Sequence, residues 1–215
     1  MISRSTRWAP LTGIVFVVLV VLGGPVGEGS TPDSKATGAQ VIAYFEAHSS
    51  REQFGAVLLT LAFIVFLFFA GSLRSYLRQT AAVEGLGAVI LAGAAVLVTG
   101  QTAGSGLILA LSDSPQHLSP DAAQALNLLN NDMVLTNAAG FCVFGIASGL
   151  AILRGAALPR WLGWMAIVIG VSVVTPAEFV GVLLLAFWIV TVSVLIMRRS
   201  DVSQDQRAEI PGAPA

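Results

Sequence analysis

Apolar residues dominate six long stretches of the chain, and shorter polar segments separate them. Each stretch is about 20 residues long, the length at which an α-helix rising about 1.5 Å per residue crosses a hydrocarbon core of roughly 30 Å. The sequence lacks the alternating pattern of a transmembrane barrel. It therefore predicts an all-α, polytopic transmembrane helical bundle with six spans, at residues 8–26, 54–73, 85–110, 133–153, 156–174 and 177–197.

Two of the polar segments are long enough to hold helices of their own. Residues 36–48 place apolar side chains at near-helical spacing, and Ser119, Pro120 and Asp121 offer a cap, a first-position proline and a first-turn acid. We expect two short helices on the outer face, covering the mouth of the bundle or lying in the headgroup layer. Residues 1–199 then form a single membrane domain, and residues 200–215, which lack apolar periodicity, a disordered cytoplasmic tail.

The cations predict the orientation of the bundle. Lys and Arg accumulate on the cytoplasmic side of a membrane, and nine of the eleven fall on the side that also holds both termini. We therefore expect cytoplasmic N- and C-termini and a multi-pass protein of the bacterial plasma membrane. The nine are Arg4, Arg7, Arg74, Arg78, Arg154, Arg160, Arg198, Arg199 and Arg207.

The first span has an alternative interpretation as a signal peptide, with Arg4 and Arg7 before an apolar segment. Gly23, Gly24 and Pro25 follow that segment, and no Ala-x-Ala-like cleavage site does. The sequence favours an uncleaved span. Cleavage would leave five spans and an external N-terminus.

Composition narrows the classes of function. The chain is 55% hydrophobic and 11% charged, with a mean hydropathy of +0.82, a net charge of −1 and one cysteine. These values exclude a soluble enzyme, a disulfide scaffold and a nucleic-acid binder. His48 and His117 lie in different loops, so we expect no metal site and no cofactor. The expected partners are the lipid bilayer, a lipid or small-molecule ligand, and a membrane protein or second copy.

Placing a polar residue within the membrane is energetically unfavourable, so polar residues in or next to the spans are the first candidates for function. They gather at the predicted outer ends of the spans, where His48, Arg51 and Glu52 also precede the second span. We expect them to converge on an outward-facing vestibule. The ligand-binding candidates are Gln101, Asn131, Asp132, Asn137 and Glu178.

Each candidate also has a structural interpretation. Residues 130–132, Asn-Asn-Asp, suit the cap and first turn of a helix, and residues 175–178, Thr-Pro-Ala-Glu, fit a capping box that ends at Glu178. Asn137 and Gln101 suit a hydrogen bond between helices. Among the uncharged residues, we predict that the glycines of the third and fourth spans, Gly104 and Gly106 included, make small-residue helix contacts, and that Trp188 packs rather than stacks on a cofactor.

Three functions are compatible with these residues. The first is a non-enzymatic membrane protein whose vestibule binds a lipid or small molecule, in transport or envelope maintenance. The second is a membrane enzyme using Asp132 and Glu178 as an acid–base pair, which needs two carboxyl groups facing one substrate. The third is a structural subunit whose small-residue faces dock other helices.

Two motifs carry a resemblance. The run at residues 154–164, Arg-Gly-Ala-Ala-Leu-Pro-Arg-Trp-Leu-Gly-Trp, follows a glycine-rich span, and residues 73–78, Leu-Arg-Ser-Tyr-Leu-Arg, end the second span. With the order of spans, they resemble bacterial six-helix integral membrane proteins classed as a domain of unknown function. The resemblance implies a fold and a membrane location. That family carries no assigned activity, so it implies no catalytic residue.

Overall fold

The computed structural model describes residues 11–27, 31–78, 83–155, 157–172 and 178–208. These residues form helices and no strand, which confirms the all-α prediction. A short 3-10 helix, Pro115–His117, lies between α3 and α4. The six α-helices are α1 (Leu11–Gly27), α2 (Gly38–Leu77), α3 (Glu84–Asp113), α4 (Pro120–Gly155), α5 (Arg160–Ser172) and α6 (Glu178–Ala208).

The helices pack as a ring in chain order. Each contacts the next, α6 returns to α1, and α2 also contacts α4 across the ring. Short connections make neighbours antiparallel, so the bundle has two chemically different ends. We call one the arginine end, defined by Arg74, Arg78, Arg154 and Arg160. The other is the polar end, formed by residues 38–52 of α2, 101–113 of α3 and 120–137 of α4.

Three helices, α2, α3 and α4, are long and apolar enough to cross a membrane. The apolar parts of α1, α5 and α6 are shorter. At 1.5 Å per residue, the 40 residues of α2 extend about 60 Å and the 36 of α4 about 54 Å. Both lengths approach twice the hydrocarbon core of about 30 Å. Each of these two helices is therefore longer than one membrane crossing, and much of it must extend outside the hydrocarbon core.

The two predicted short helices are not separate elements, so that expectation is corrected. They are the first parts of α2 and α4. Thr37 and Gln40 form the capping box that starts α2, and residues 38–77 contain no proline to end it. The predicted start at Ser119 is confirmed, because its Oγ accepts a hydrogen bond from the amide of Ala122, 3.3 Å away. From Pro120 the helix then runs without a break to Gly155.

The first parts of α2 and α4 pack against each other and against the end of α3. Gly38 lies directly on the backbone of Pro120, where any larger residue would overlap the Pro120 carbonyl group. A small apolar cluster follows, made of Val41, Phe45, Leu111 and Ala123. The polar end is thus held by its own core.

The main core lies in the middle of the bundle and is rich in aromatic rings. Phe66, Phe69, Phe144 and Trp188 are each at most 1% exposed, and the Trp188 ring meets Phe69 and Phe144 edge to face. Its Nε1 donates a hydrogen bond to the Leu162 carbonyl oxygen, 2.9 Å away. The prediction that this tryptophan packs is confirmed.

Glycines bring α4 close to both of its neighbours. Gly93 of α3 faces the Phe144 backbone, and Gly145 and Gly149 of α4 face the backbone of α5 at Gly170 and Gly163. The predicted small-residue contacts are confirmed at these positions. For Gly106 the prediction is wrong, because no atom lies within 4 Å of where its Cβ would be.

The last helix extends further than its apolar stretch. α6 continues to Ala208, into the stretch 200–215 for which we predicted disorder. Residues 209–215 and the predicted cap residues 175–177 lie outside the described part of the chain.

Candidate functional site

A cavity of about 280 Å³ lies between α2, α3 and α4 at the polar end. Its apolar wall includes Ala56, Leu59, Ile108, Met133 and Val134. Thr31, from the segment before α2, contributes one polar lining residue. The three helices contribute the others, which are Glu52, Gln101, Ser105, Asn130, Asn131 and Asn137. A cavity with apolar walls and several convergent polar groups is the usual form of a ligand site.

Glu52 is the acidic group of this cavity. It is 2% exposed, and the Tyr44 hydroxyl group, two turns earlier on α2, donates a hydrogen bond of 2.7 Å to its Oε1. His48 stacks on the Tyr44 ring, and both His48 and Arg51 act on Glu52 electrostatically without lining the cavity. Among the described lining residues, Glu52 is the one titratable group. Glu52 is therefore the one group of this lining that can become charged.

Asn137 and Gln101 form a hydrogen bond across the cavity wall. The Nδ2 of Asn137 on α4 donates to the Oε1 of Gln101 on α3 over 2.6 Å. This is the interhelical hydrogen bond that the sequence suggested for these two residues. The Oδ1 of Asn137 is buried and has no hydrogen-bond partner among the described residues. The pair thus holds two helices together and leaves an acceptor unsatisfied.

Asparagines of α4 also hold the segment that precedes α2. Asn127, 3% exposed, donates from Nδ2 to the Asp33 carbonyl oxygen at 2.9 Å. The Nδ2 of Asn131 donates to the Asn127 carbonyl oxygen at 2.8 Å and approaches the Pro32 carbonyl oxygen at 3.4 Å. Thr31, in the same segment, lines the cavity. Asn131 therefore lines the cavity and fixes part of its rim.

The structure brings three of the five predicted site residues together. Gln101, Asn131 and Asn137 line one cavity, whereas Asp132 is exposed and is not part of the lining. Glu178 begins α6, and its side chain lies outside the described residues, so the Asp132–Glu178 pair stays a prediction. The capping interpretation of residues 130–132 is wrong, because α4 begins about three turns earlier.

Sequence reasoning did not choose Glu52 as a site residue. It placed this glutamate in a loop before the second span, whereas α2 passes through it without a break. The spacing of Glu52, Gly55, Ala56 and Leu59 is that of one helix face, and all four residues line the cavity. Extending the helical period of residues 41–48 into the span would have indicated this face.

The described residues do not form a metal site. Across the described ranges, no group of three or more His, Cys, Asp or Glu side chains is placed to hold a metal ion. What the cavity offers is one carboxyl group, four amides and two hydroxyl groups beside apolar side chains.

Comparison with protein-family models, with curated proteins and with solved structures gives no match for this chain.

Proposed function

We propose that this chain is a six-span protein of the bacterial plasma membrane that binds a lipid or small amphiphile in the cavity at its polar end, without catalysing a reaction. The polar end faces outward, and the arginine end faces the cytoplasm. The role is in transport or in maintenance of the envelope.

The surface of α2 supports the membrane location. Five large apolar residues of this helix are exposed at the three- and four-residue spacing of one helix face. A contiguous apolar face of this kind is rare on soluble proteins and suits contact with lipid tails. The residues are Phe54, Val57, Leu61, Ile64 and Phe68, each more than 40% exposed.

The arginine end supports the orientation. Arg154 closes α4 and Arg160 opens α5, so this hairpin adds to the positive charge of Arg74 and Arg78. Lys and Arg near membrane surfaces accumulate on the cytoplasmic side, and tryptophans accumulate at the interface. Trp161 and Trp164 follow Arg160 and are 51% and 61% exposed.

The depth of the cavity supports an amphiphilic ligand. Glu52 precedes Leu77, the last residue of α2, by about 38 Å along the helix axis. With a hydrocarbon core of about 30 Å, Glu52 then lies near its outer boundary. Leu59 lies two turns closer to the bilayer centre, and Val134, 53% exposed, brings the cavity wall to the bundle surface. A ligand would meet polar groups at headgroup depth and apolar groups below.

One observation carries the proposal: a buried carboxyl group and four amide side chains, from three helices, line a single cavity with an apolar wall. Burying polar groups is unfavourable unless they find partners. Packing alone would be better served by apolar residues, so the arrangement points to an occupant.

Gly104 offers a direct test, because it lines the cavity and a Cβ there would meet a single neighbour, the Asn130 Oδ1, at an ordinary 3.5 Å. Gly104→Leu should fill the cavity without disturbing the helices. Gly106→Leu, on the same helix in open space, is the matched control. We would purify each protein in a mild uncharged detergent and identify retained molecules by native mass spectrometry with lipidomics.

We expect a discrete additional mass on the wild type and on Gly106→Leu, and its loss from Gly104→Leu. Equal retention by Gly104→Leu and Gly106→Leu would place the bound molecule outside the cavity and overturn the proposal. So would a wild-type protein that retains only the same bulk lipids as both variants.

A further inference from the structure

We infer that the cavity is selective for an amphiphile whose polar end is a protonated primary amine. The Glu52 carboxylate and the Asn137 side-chain carbonyl oxygen would hold the amine. This inference rests on the proposed function. Such a ligand has an ammonium group attached to an apolar chain. A free alkylamine and an amine-headed lipid both have these two parts.

The charge of the lining favours a cationic ligand. No Lys, Arg or His is among the described residues that line the cavity, and Glu52 is buried to 98%. A buried carboxylate needs a cation or several donors to offset its lost hydration. Tyr44 supplies one donor. Arg51 and His48 interact with Glu52 electrostatically, but neither residue lines the cavity.

The uncharged groups favour a donor rather than an acceptor. The Oδ1 of Asn137 is buried without a partner, and the Nδ2 of the same amide is already engaged with Gln101. The Nδ2 of Asn131 is likewise engaged with carbonyl oxygens. Among the described lining residues, the one buried side-chain polar atom without a hydrogen-bond partner is thus an acceptor. An ammonium group has three donors and no acceptor, whereas a phosphate or carboxylate head brings only acceptors.

The apolar wall favours a chain attached to that amine. Leu59, Met133 and Val134 lie beside the polar groups in the same cavity, and Val134 reaches the bundle surface. A small hydrated cation would leave this wall without a partner. An alkyl chain would cover it and gain the free energy of apolar burial.

The experiment compares ligands that share a ten-carbon chain and differ in the head. Decylammonium, decanol and decanoate are titrated onto the protein in an uncharged maltoside detergent, and bound ligand is counted by native mass spectrometry. Glu52→Gln removes the charge and keeps an acceptor for the Tyr44 hydroxyl group. Asp132→Asn removes an equal charge from an exposed site at the same end and is the matched control.

We expect decylammonium to bind the wild type at least tenfold more tightly than decanol or decanoate. Glu52→Gln should lose this preference and still bind decanol as the wild type does, which shows that the variant is folded. Asp132→Asn should keep the preference. Nanodiscs then separate the two sources: displacement of decylammonium by an ethanolamine-headed lipid, and not by a glycerol-headed one, identifies a lipid, and no displacement by either identifies a free amine.

Two results would overturn the inference while leaving the proposed function intact. One is equal binding of the three ligands to the wild type. The other is an equal loss of preference in Glu52→Gln and Asp132→Asn, which marks a general surface-charge effect. By contrast, if none of the three binds and Gly104→Leu retains the same molecules as Gly106→Leu, the cavity itself has no ligand, and both proposals fail.

Discussion

The middle and the polar end of the α3–α4 interface are built from the same small residues and differ in what those residues contact. In the middle, a Cβ on Gly140 would lie 2.5 Å from the Leu97 amide nitrogen, and one on Gly93 would lie 2.6 Å from that of Phe144. At the polar end, a Cβ on Gly104 would have ordinary contact with one side-chain oxygen. Glycine brings backbones together in the first region and leaves room in the second.

The polar end therefore depends on other interactions. Side-chain hydrogen bonds join its elements: Asn137 to Gln101, Asn127 to the segment before α2, and Gln53 of α2 to the Ser112 carbonyl oxygen of α3 at 3.0 Å. Hydrogen bonds of this kind hold helices at a distance that leaves a cavity. Backbone-to-backbone glycine contacts would close it. A glycine on a membrane helix therefore marks a backbone contact at some positions and free space at others.

The largest effect expected from this difference is on stability. Gly140→Ala places a methyl group against the Leu97 backbone, which cannot rotate away. Overpacking costs about 1–3 kcal/mol, and we expect the upper end of that range. Gly104→Ala makes one ordinary contact with the Asn130 Oδ1 and should gain up to about 1 kcal/mol from helix propensity. Reversible unfolding in mixed micelles measures both.

Gly106→Ala is the control for the propensity gain, because no atom lies near its Cβ position. If Gly140→Ala and Gly104→Ala shifted the free energy of unfolding equally and in the same direction, the contrast between a closed middle and an open polar end would be lost.

A smaller and more local effect is expected at the rim of the cavity. Asn127→Ala removes the hydrogen bond that the Asp33 carbonyl oxygen accepts. The loss should lower the stability of this segment by about 1–2 kcal/mol. Because residues 31–36 are exposed or half-buried, they should open before the bundle does. Hydrogen–deuterium exchange should be faster in residues 31–37 and unchanged in the middle of α3. Leu128 is an exposed neighbour of Asn127 on α4, so Leu128→Ala is the control. It should leave the exchange rates of residues 31–37 and of the middle of α3 unchanged.

The sequence predicted the helical class and the central parts of the helices because apolar length is a local signal. It missed that the two short helices predicted at residues 36–48 and from Ser119 continue without a break into the second and fourth spans, as α2 and α4. Residues 38–53 mix polar and apolar side chains, and their stability comes from pairing with α4, as where Gly38 meets Pro120. That contact joins positions more than 80 apart in the chain, so no local window contains it.

The candidate site was predictable in part for the same reason. Gln101, Asn131 and Asn137 stand out as polar residues on apolar helices, and all three line the cavity. Asp132 is next to Asn131 and yet exposed, since a step of one residue turns a side chain about 100° around the helix. Glu52 becomes a site residue through burial against α3 and α4, which the polar character of its own segment concealed.

The smallest expected effect concerns the hydrogen bond between Gln101 and Asn137. Replacing each by leucine, singly and together, gives a double-mutant cycle in which the coupling reports their 2.6 Å contact. Side-chain hydrogen bonds between membrane helices average about 0.6 kcal/mol and reach about 1.7, so we expect a coupling in that range. Asn130 also lines the cavity, and no hydrogen bond between it and Gln101 is described. The Gln101–Asn130 cycle should therefore couple more weakly. Equal couplings in the two cycles would mean that the cavity lining responds as a unit and that this hydrogen bond does not set the spacing of α3 and α4.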